Sequence, residues 1–312
     1  MVPLILTITL NPALDKLVAV PALRAGEANR VELLSTQPAG KGVDVAKVLR
    51  DMEAPVCATG FLGGAVASVF NDFLFREGIE NAFVPIAGST RTNLQIFGGD
   101  GARTELLEQG PSVTSDEWDA LLDVLDSRLP RCEAAALCGS APGGVSPAMA
   151  QSLLRRMKAA GGIAAADLSG PLLRAALAEK PDLIKPNRSE MCELMGQPGA
   201  SDEAIRAYAV RLVADGIPYV LVSLGGDGAL LACRDGVWRC KAPDVPVKST
   251  LGCGDTMVAS LLLSLLEQAA PAEMLRRAVA LSSANAMTFE TAHIQPETYR
   301  ELLPLCTADR LI

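Results

Sequence analysis

Residues 249–255, Ser-Thr-Leu-Gly-Cys-Gly-Asp, carry the strongest chemical signal in the chain. Gly252 and Gly254 let the backbone fold tightly and aim several N–H groups at one point, and an apolar run from Thr256 reads as the helix that follows. Such N–H groups would hold a developing phosphoryl charge while Asp255 accepts a hydroxyl proton. The pattern equally suits a turn before a core helix, with Asp255 in its first turn. Ala39-Gly40-Lys41-Gly42 opens a second helix and offers an anion its backbone and Lys41. It is no Walker A loop, because Ser35 stands five residues before Gly40 and Gly42 occupies the Mg²⁺-binding Ser/Thr position. Ser223-Leu224-Gly225-Gly226-Asp227-Gly228 is a glycine-rich turn after a strand, with a plain hairpin as its alternative. In Lys185-Pro186-Asn187-Arg188-Ser189-Glu190, Asn187 and Glu190 either organise Mg²⁺ through water or simply begin a helix.

The residue inventory narrows the chemistry. His293 is the sole histidine, so His-rich metal sites are excluded and any Ser-His or Cys-His mechanism would have to run through it. A net charge of -8, three Tyr and two Trp provide neither the cationic footprint nor the stacking surface of a nucleic-acid binder. The eight cysteines form no C-x-x-C pair, which suits reduced thiols in a cytoplasmic protein. Residues 1–10 lack a basic region and read as a first buried strand rather than a secretion signal. The apolar run 257–266 is shorter than the roughly 20 residues that a membrane-spanning helix needs, so no membrane partner is expected.

These loops need a frame to hold them. With 49% hydrophobic and 21% charged residues, 312 residues suffice for one large α/β unit, and no linker or repeat divides it. From residue 114 onward, strand patterns at 134–138, 163–167, 182–185 and 219–224 alternate with helical patterns opening near Ser146, Pro171, Ser189 and Ser201. That alternation predicts a parallel sheet with helices on both faces. Thr114 and Glu117 form a capping box ahead of Trp118, Leu121, Leu122, Leu125 and Leu129 at helical spacing. The first third differs: 17–20, 29–36, 92–97 and 103–107 read as short, partly exposed strands, with Asp100-Gly101 as a hairpin turn. They predict a small β lid built from about 13–37 and 90–109, whose uncovered apolar side calls for a partner surface.

Taken together, the segments Thr9-Leu10-Asn11-Pro12-Ala13-Leu14-Asp15, Ala39 to Gly42, Gly139-Ser140-Ala141-Pro142, Lys185-Pro186-Asn187 and Gly252 to Asp255 resemble the PfkB, or ribokinase-like, carbohydrate kinases over essentially the whole chain. Thr104 to Pro111, Asp167-Leu168-Ser169-Gly170 and Thr291-Ala292-His293-Ile294 resemble the tagatose-6-phosphate kinase side of the branch shared with 1-phosphofructokinase. The resemblance implies a three-layer α/β/α body with a β-sheet lid, and an ATP- and Mg²⁺-dependent kinase acting on a ketohexose monophosphate. It implies Asp255 as the general base, with the N–H groups of Gly252, Cys253 and Gly254 as the anion hole. Ser223, Gly225 and Gly228 would line the ATP, Asn285 would approach the adenine, Lys185 and Asn187 would touch phosphates, and Asn187 with Glu190 would order water around Mg²⁺. Asp15 would bind sugar hydroxyls within the Gly40 and Asp44 neighbourhood, while Lys41, Arg91 and Ser140 would hold the phosphate that the sugar already carries. It also implies a homodimer through the lid. Asp44 replaces the usual Asn, Cys253 and Ser260 replace small residues, and Ala292 replaces a Gly. Asp44 is expected either to face the sugar, its charge offset by Lys41 or met by a hydroxyl that donates to it, or to turn away in the first helical turn. Tagatose 6-phosphate is the expected acceptor; the alternatives are 1-phosphofructokinase, acting on fructose 1-phosphate, and, from another class, a non-catalytic sugar-phosphate-binding protein on the same fold.

Overall fold

The computed structural model describes residues 4–312. Eleven strands form one large sheet. From one edge the order is Ala308–Arg310, Gly236–Cys240, Ala229–Cys233, Tyr219–Ser223, Leu183–Ile184, Ile163–Leu168, Ala134–Gly139, Ile5–Thr9, Val56–Gly63 and Glu80–Asn81, with Val84–Ile86 beside the far end of Val56–Gly63. Pairing is parallel from Tyr219–Ser223 to Glu80–Asn81 and antiparallel on the Ala308–Arg310 side. Parallel strands buried on both faces read as apolar runs rather than alternations. Their period of two then divides the core: Ile5, Ala58 and Ala136 face the helices Lys41–Asp51, Cys253–Leu266 and Pro271–Ala286, while Leu6, Ile8 and Leu137 face Ser115–Arg128, Pro147–Ala159 and Asp202–Ala214. Leu153 and Leu261 are fully buried on opposite faces, and either truncated to Ala would cost about 2–5 kcal/mol.

The expected strands at 134–138, 163–167 and 219–224 are present to within a residue or two, and the Thr114 capping box is formed. The strand expected at 182–185 is only Leu183–Ile184, since Pro186 has no N–H to continue the ladder. Val56–Gly63 and the helix Val66–Arg76 were not anticipated. Val56–Gly63 is buried at every position and broken by two glycines, so it carries no alternation to read.

The lid is a separate four-stranded sheet in the order Glu32–Ala39, Ala13–Val20, Arg91–Gly98, Arg103–Leu107. Its first strand starts at Ala13, earlier than the pattern suggested, and pairs in parallel with Arg91–Gly98. Gly101, at φ 81, makes the expected hairpin turn. Register brings Asp15, Gln37 and Asn93 side by side on one face of the lid, while Val18, Leu33 and Ile96 share the other. The Thr9, Gly139, Leu168, Ile184 and Ser223 ends of the parallel strands lie along one edge of the large sheet, which is where an open α/β sheet binds ligands.

Candidate active site

Gly252, in the left-handed region at φ 75, caps the helix Cys253–Leu266. A Cβ there would come within 2.9 Å of the Ala292 nitrogen and the Thr291 side chain, so only glycine fits. At Gly254 a Cβ would meet the Lys185 Nζ at 2.9 Å. The first-turn N–H groups have no intrahelical carbonyl to reach, and they face a cavity of about 1500 Å³. The Cys253 side chain turns back into the protein: its thiol donates to the Ser282 carbonyl at 3.3 Å and accepts from Asn285 Nδ2 at 3.3 Å.

Asn285, expected near the adenine, is held by the protein itself. Its side chain is buried; Nδ2 donates to the Leu251 carbonyl at 2.6 Å and Oδ1 accepts from the Ala292 N–H at 2.8 Å. With both ends of the amide engaged, Asn285 ties the glycine loop to the 291–294 segment instead. Ala292 holds φ 56 there in place of the expected glycine.

Five charged groups meet behind the loop. Lys41 Nζ lies 3.0 Å from Asp167 Oδ1 and 3.8 Å from Glu190, and Lys185 Nζ lies 3.4 Å from the same Asp167 oxygen. Burial alone would raise Asp167, but Lys185 and Lys41 outweigh it and hold the carboxyl below its ordinary range. Burial lowers Lys41, yet Asp167, Glu190 and Asp255 more than reverse this and keep the ammonium charged. Asp255 is raised well above the carboxylate range by burial and then by the charges of Asp44 and Asp167, against the pull of Lys41 and Lys185. A carboxyl so raised holds a proton more readily than a free one.

Lys41, expected to hold the phosphate of the sugar, sits with this charge cluster. It lines the large cavity with Lys185, Asn187, Ser223, Gly225, Gly228 and the 252–255 loop, and a Cβ at Gly139 would lie 3.7 Å from its side chain. The cause is Asp167, which ends a buried strand and draws the Lys41 ammonium across the sheet edge.

Asn187 and Glu190 form a reciprocal cap, Glu190 N to Asn187 Oδ1 at 2.9 Å and Asn187 N to Glu190 Oε2 at 2.8 Å. Among the described residues no group of three His, Cys, Asp or Glu side chains forms a metal cage. Asp167 Oδ2 is buried without a partner there. Hard oxygens of this kind fit Mg²⁺ carried in by a nucleotide and held through water, rather than a resident ion.

On the lid side, Asp15 is buried and its Oδ1 accepts from Asn93 Nδ2 at 2.8 Å. Burial, followed by the nearby Asp44 charge, pushes its carboxyl up to about 6. Asp44 sits in the first turn of the Lys41 helix, and its Oδ1 accepts from Lys47 Nζ at 2.8 Å. Lys47, one turn further along the same helix, therefore offsets the charge that Lys41 was expected to offset. Burial raises Asp44 in spite of that partner. Arg91 donates through Nε and Nη2 to the Asn11 carbonyl and through Nη1 to the Glu108 carbonyl. Asn11 Nδ2 donates to Ser140 Oγ at 3.3 Å. Arg91, Asn11 and Ser140 line a second hollow of about 490 Å³.

Asp167, Lys47, Asn93 and Asn11 had no assigned part in the sequence reading. A signal existed for Asp167, a lone acid ending the apolar run Ile163–Leu168 just before a helix. His293 pairs through Nδ1 with Asp51 at 3.2 Å; that hydrogen bond raises its pKa and makes it a tie to the end of the Lys41 helix.

The arrangement has known counterparts. A family model described as pfkB family carbohydrate kinase matches residues 5–298. Phosphofructokinase-2 from Escherichia coli, solved with potassium, superposes with a TM-score of 0.90 at 28% identity, covering 98% of this chain and 99% of that one. The same enzyme with fructose-6-phosphate gives 0.88 at 28% identity and the same coverage. A possible 1-phosphofructokinase from Thermotoga maritima shares the fold, with a TM-score of 0.87 at 24% identity over 99% of this chain and 100% of that one. No helix among the described residues is long and apolar enough to cross a membrane. The chain belongs to the PfkB family of carbohydrate kinases, phosphotransferases with an alcohol group as acceptor.

Proposed function

We propose that the chain transfers the γ-phosphoryl group of MgATP to a ketohexose monophosphate, with tagatose 6-phosphate as the preferred acceptor. One observation supports the reading: two separate hollows carry basic side chains, one at the 252–255 loop with Lys41 and Lys185 and one at Arg91 and Ser140, with the buried acid Asp15 on the lid. An acceptor with hydroxyls along its chain and a phosphate at its far end matches that arrangement.

In this reading Arg91, Asn11 and Ser140 hold the sugar's phosphate, and Asp15, steadied by Asn93, accepts from its hydroxyls. Asn93 Oδ1 and Asn11 Oδ1, buried without partners among the described residues, are available to further hydroxyls. Asp255 takes the proton of the acceptor hydroxyl, whose oxygen forms the new bond to the γ-phosphorus as the bond to the β,γ-bridging oxygen breaks and ADP leaves. The N–H groups of the 252–254 loop, with Lys41 and Lys185, receive the charge of the transferring group. Mg²⁺ bound with ATP would neutralise phosphate charge near Asn187, Glu190 and Asp167.

Fructose 6-phosphate, the C4 epimer, is the second reading; the Escherichia coli enzyme at 28% identity was solved with it. A homodimer through the lid accompanies either reading, because Leu33 and Leu106 on the outer face are 61% and 54% exposed and the edge strand Arg103–Leu107 is exposed throughout. A monomeric mass by light scattering would overturn the dimer. The function is tested by ADP release over tagatose 6-phosphate, fructose 6-phosphate, fructose 1-phosphate and the unphosphorylated ketohexoses. The highest kcat/KM is expected for tagatose 6-phosphate, and turnover confined to unphosphorylated sugars would refute the reading.

A further inference from the structure

The strand Arg103–Leu107 closes the lid, and nothing in the fold requires charge on it, since all five residues are exposed. Arg103 and Glu105, two apart and therefore on one face, nevertheless both line the large cavity that the 252–255 loop opens onto. Arg103 Nη1 donates to Thr250 Oγ1 at 3.4 Å, at the start of that loop. Its charge is felt at the Cys253 thiol. The same corner of the lid is held down by Phe97, opposite Arg103 in register, whose ring meets Phe289 edge-on at 5.7 Å between centroids.

The other cations of the cavity are already matched. Lys41 and Lys185 share Asp167, and Arg188 is clamped between Asp202 and Asp227. Among the described residues the only carboxylate on Arg103 is Glu105 of its own strand, at 2.9 Å, and both side chains are about one-third exposed. Such a pair is easily exchanged for a stronger one, because a guanidinium binds a phosphate in a bidentate fork.

We propose that Arg103 is a phosphate-binding residue for the nucleotide, carried by the lid, so that the element bearing Asp15 over the sugar also closes on the ATP polyphosphate. This rests on the reading of the large cavity as the ATP site. In that complex the guanidinium leaves Glu105 for the phosphate oxygens while remaining beside Thr250.

The test is Arg103→Gln in the full chain. The KM for ATP is measured together with inhibition constants for ADP and adenosine competing against ATP, and the KM for the sugar phosphate. ATP and ADP should weaken about 10- to 100-fold, the range for hydrogen bonds to a charged group. Adenosine, which has no phosphate, and the sugar phosphate should change less than about twofold, and Arg103→Lys should recover part of the loss. Unchanged constants for ATP and ADP would overturn the inference. An equal loss for adenosine would also overturn it and leave Arg103 as a lid contact. Should Arg103→Gln fail to fold, Arg103→Lys alone decides: a loss of ADP affinity with adenosine unchanged supports the role, and no loss refutes it. A wild-type chain that binds ADP no better than adenosine would sink the ATP-site reading itself, an outcome distinct from a wild-type nucleotide preference that the substitution leaves intact.

Discussion

Asp15 should make the protein less stable than it could be, and the size of that cost can be worked out. Its carboxyl is raised from 3.8 to about 6, chiefly by burial and then by the charge of Asp44. The native chain therefore holds this proton more tightly than the unfolded chain. The extra stability of the protonated form is present at low pH and is lost as pH rises through about 4 to 6. Above that window, holding the ionised acid costs about 3 kcal/mol, taking 1.36 kcal/mol per unit. In Asp15→Asn the new Oδ1 can still accept from Asn93 Nδ2, so the hydrogen bond survives while the buried charge is removed. For a chain of this length, about 3 kcal/mol corresponds to roughly 4 °C in Tm. Calorimetry at pH 7.5 should show the variant melting higher by about that amount, with the difference closing near pH 4. The same variant should lose about 10- to 100-fold in kcat/KM for the sugar, because a charge-assisted acceptor becomes a neutral one. A Tm difference that is negative at pH 7.5, or that does not change with pH, would refute this account of Asp15.

Asp255→Asn should lower kcat by about 10² to 10⁴ while ADP binding, followed by calorimetry, stays close to wild type; near-normal kcat would remove Asp255 as the base. Since Asp255 must be ionised to work and its pKa is raised, kcat/KM should fall as pH is lowered through that raised value, a limb that a pH profile would reveal. Asp44→Asn removes one of the charges that raise Asp255, so the limb should move to lower pH, while Lys47 loses its buried partner and the chain loses about 1–3 kcal/mol of stability in urea titration. A limb in the same place would separate Asp44 from the base.

Reading from sequence succeeded where a signal is local. The Thr114–Glu117 box, the Asp100-Gly101 turn and the glycine spacing at 252–254 each state their geometry within a few residues, and each is present. Arg91 and Ser140, 49 positions apart, were placed together through the family resemblance rather than through any spacing. The sequence is least legible where long side chains choose among distant partners. The local context of Lys41 does not disclose that Asp167, 126 residues later, lies 3.0 Å away at the end of another strand. Asn285 is polar and sits beside the nucleotide-side loop, yet its amide is consumed by Leu251 and Ala292, a pairing set by how two loops pack. Val56–Gly63 is buried on both faces and therefore lacks the alternation by which a strand is recognised.

The same charge distribution bears on why a phosphorylated acceptor is favoured. Arg91 donates to two backbone carbonyls, and among the described residues Asp15 and Glu108 act on its charge only from beyond ion-pair distance. An unphosphorylated ketohexose would leave it so, and would also bring no anion to balance the cation in a half-buried hollow. A phosphate supplies that anion directly, for a gain of about 1.5–3 kcal/mol, or roughly 10- to 100-fold in affinity. Asp15 and Asp44 act in the opposite sense, because their negative charge repels a phosphate placed beside them and admits a hydroxyl that can donate. In the proposed function, attraction at Arg91 and repulsion at Asp15 would together orient the acceptor, sending its phosphate outward to Ser140 and Asn11 and leaving a hydroxyl to meet Asp255. That orientation would follow from the signs of Arg91, Asp15 and Asp44, and it needs no histidine.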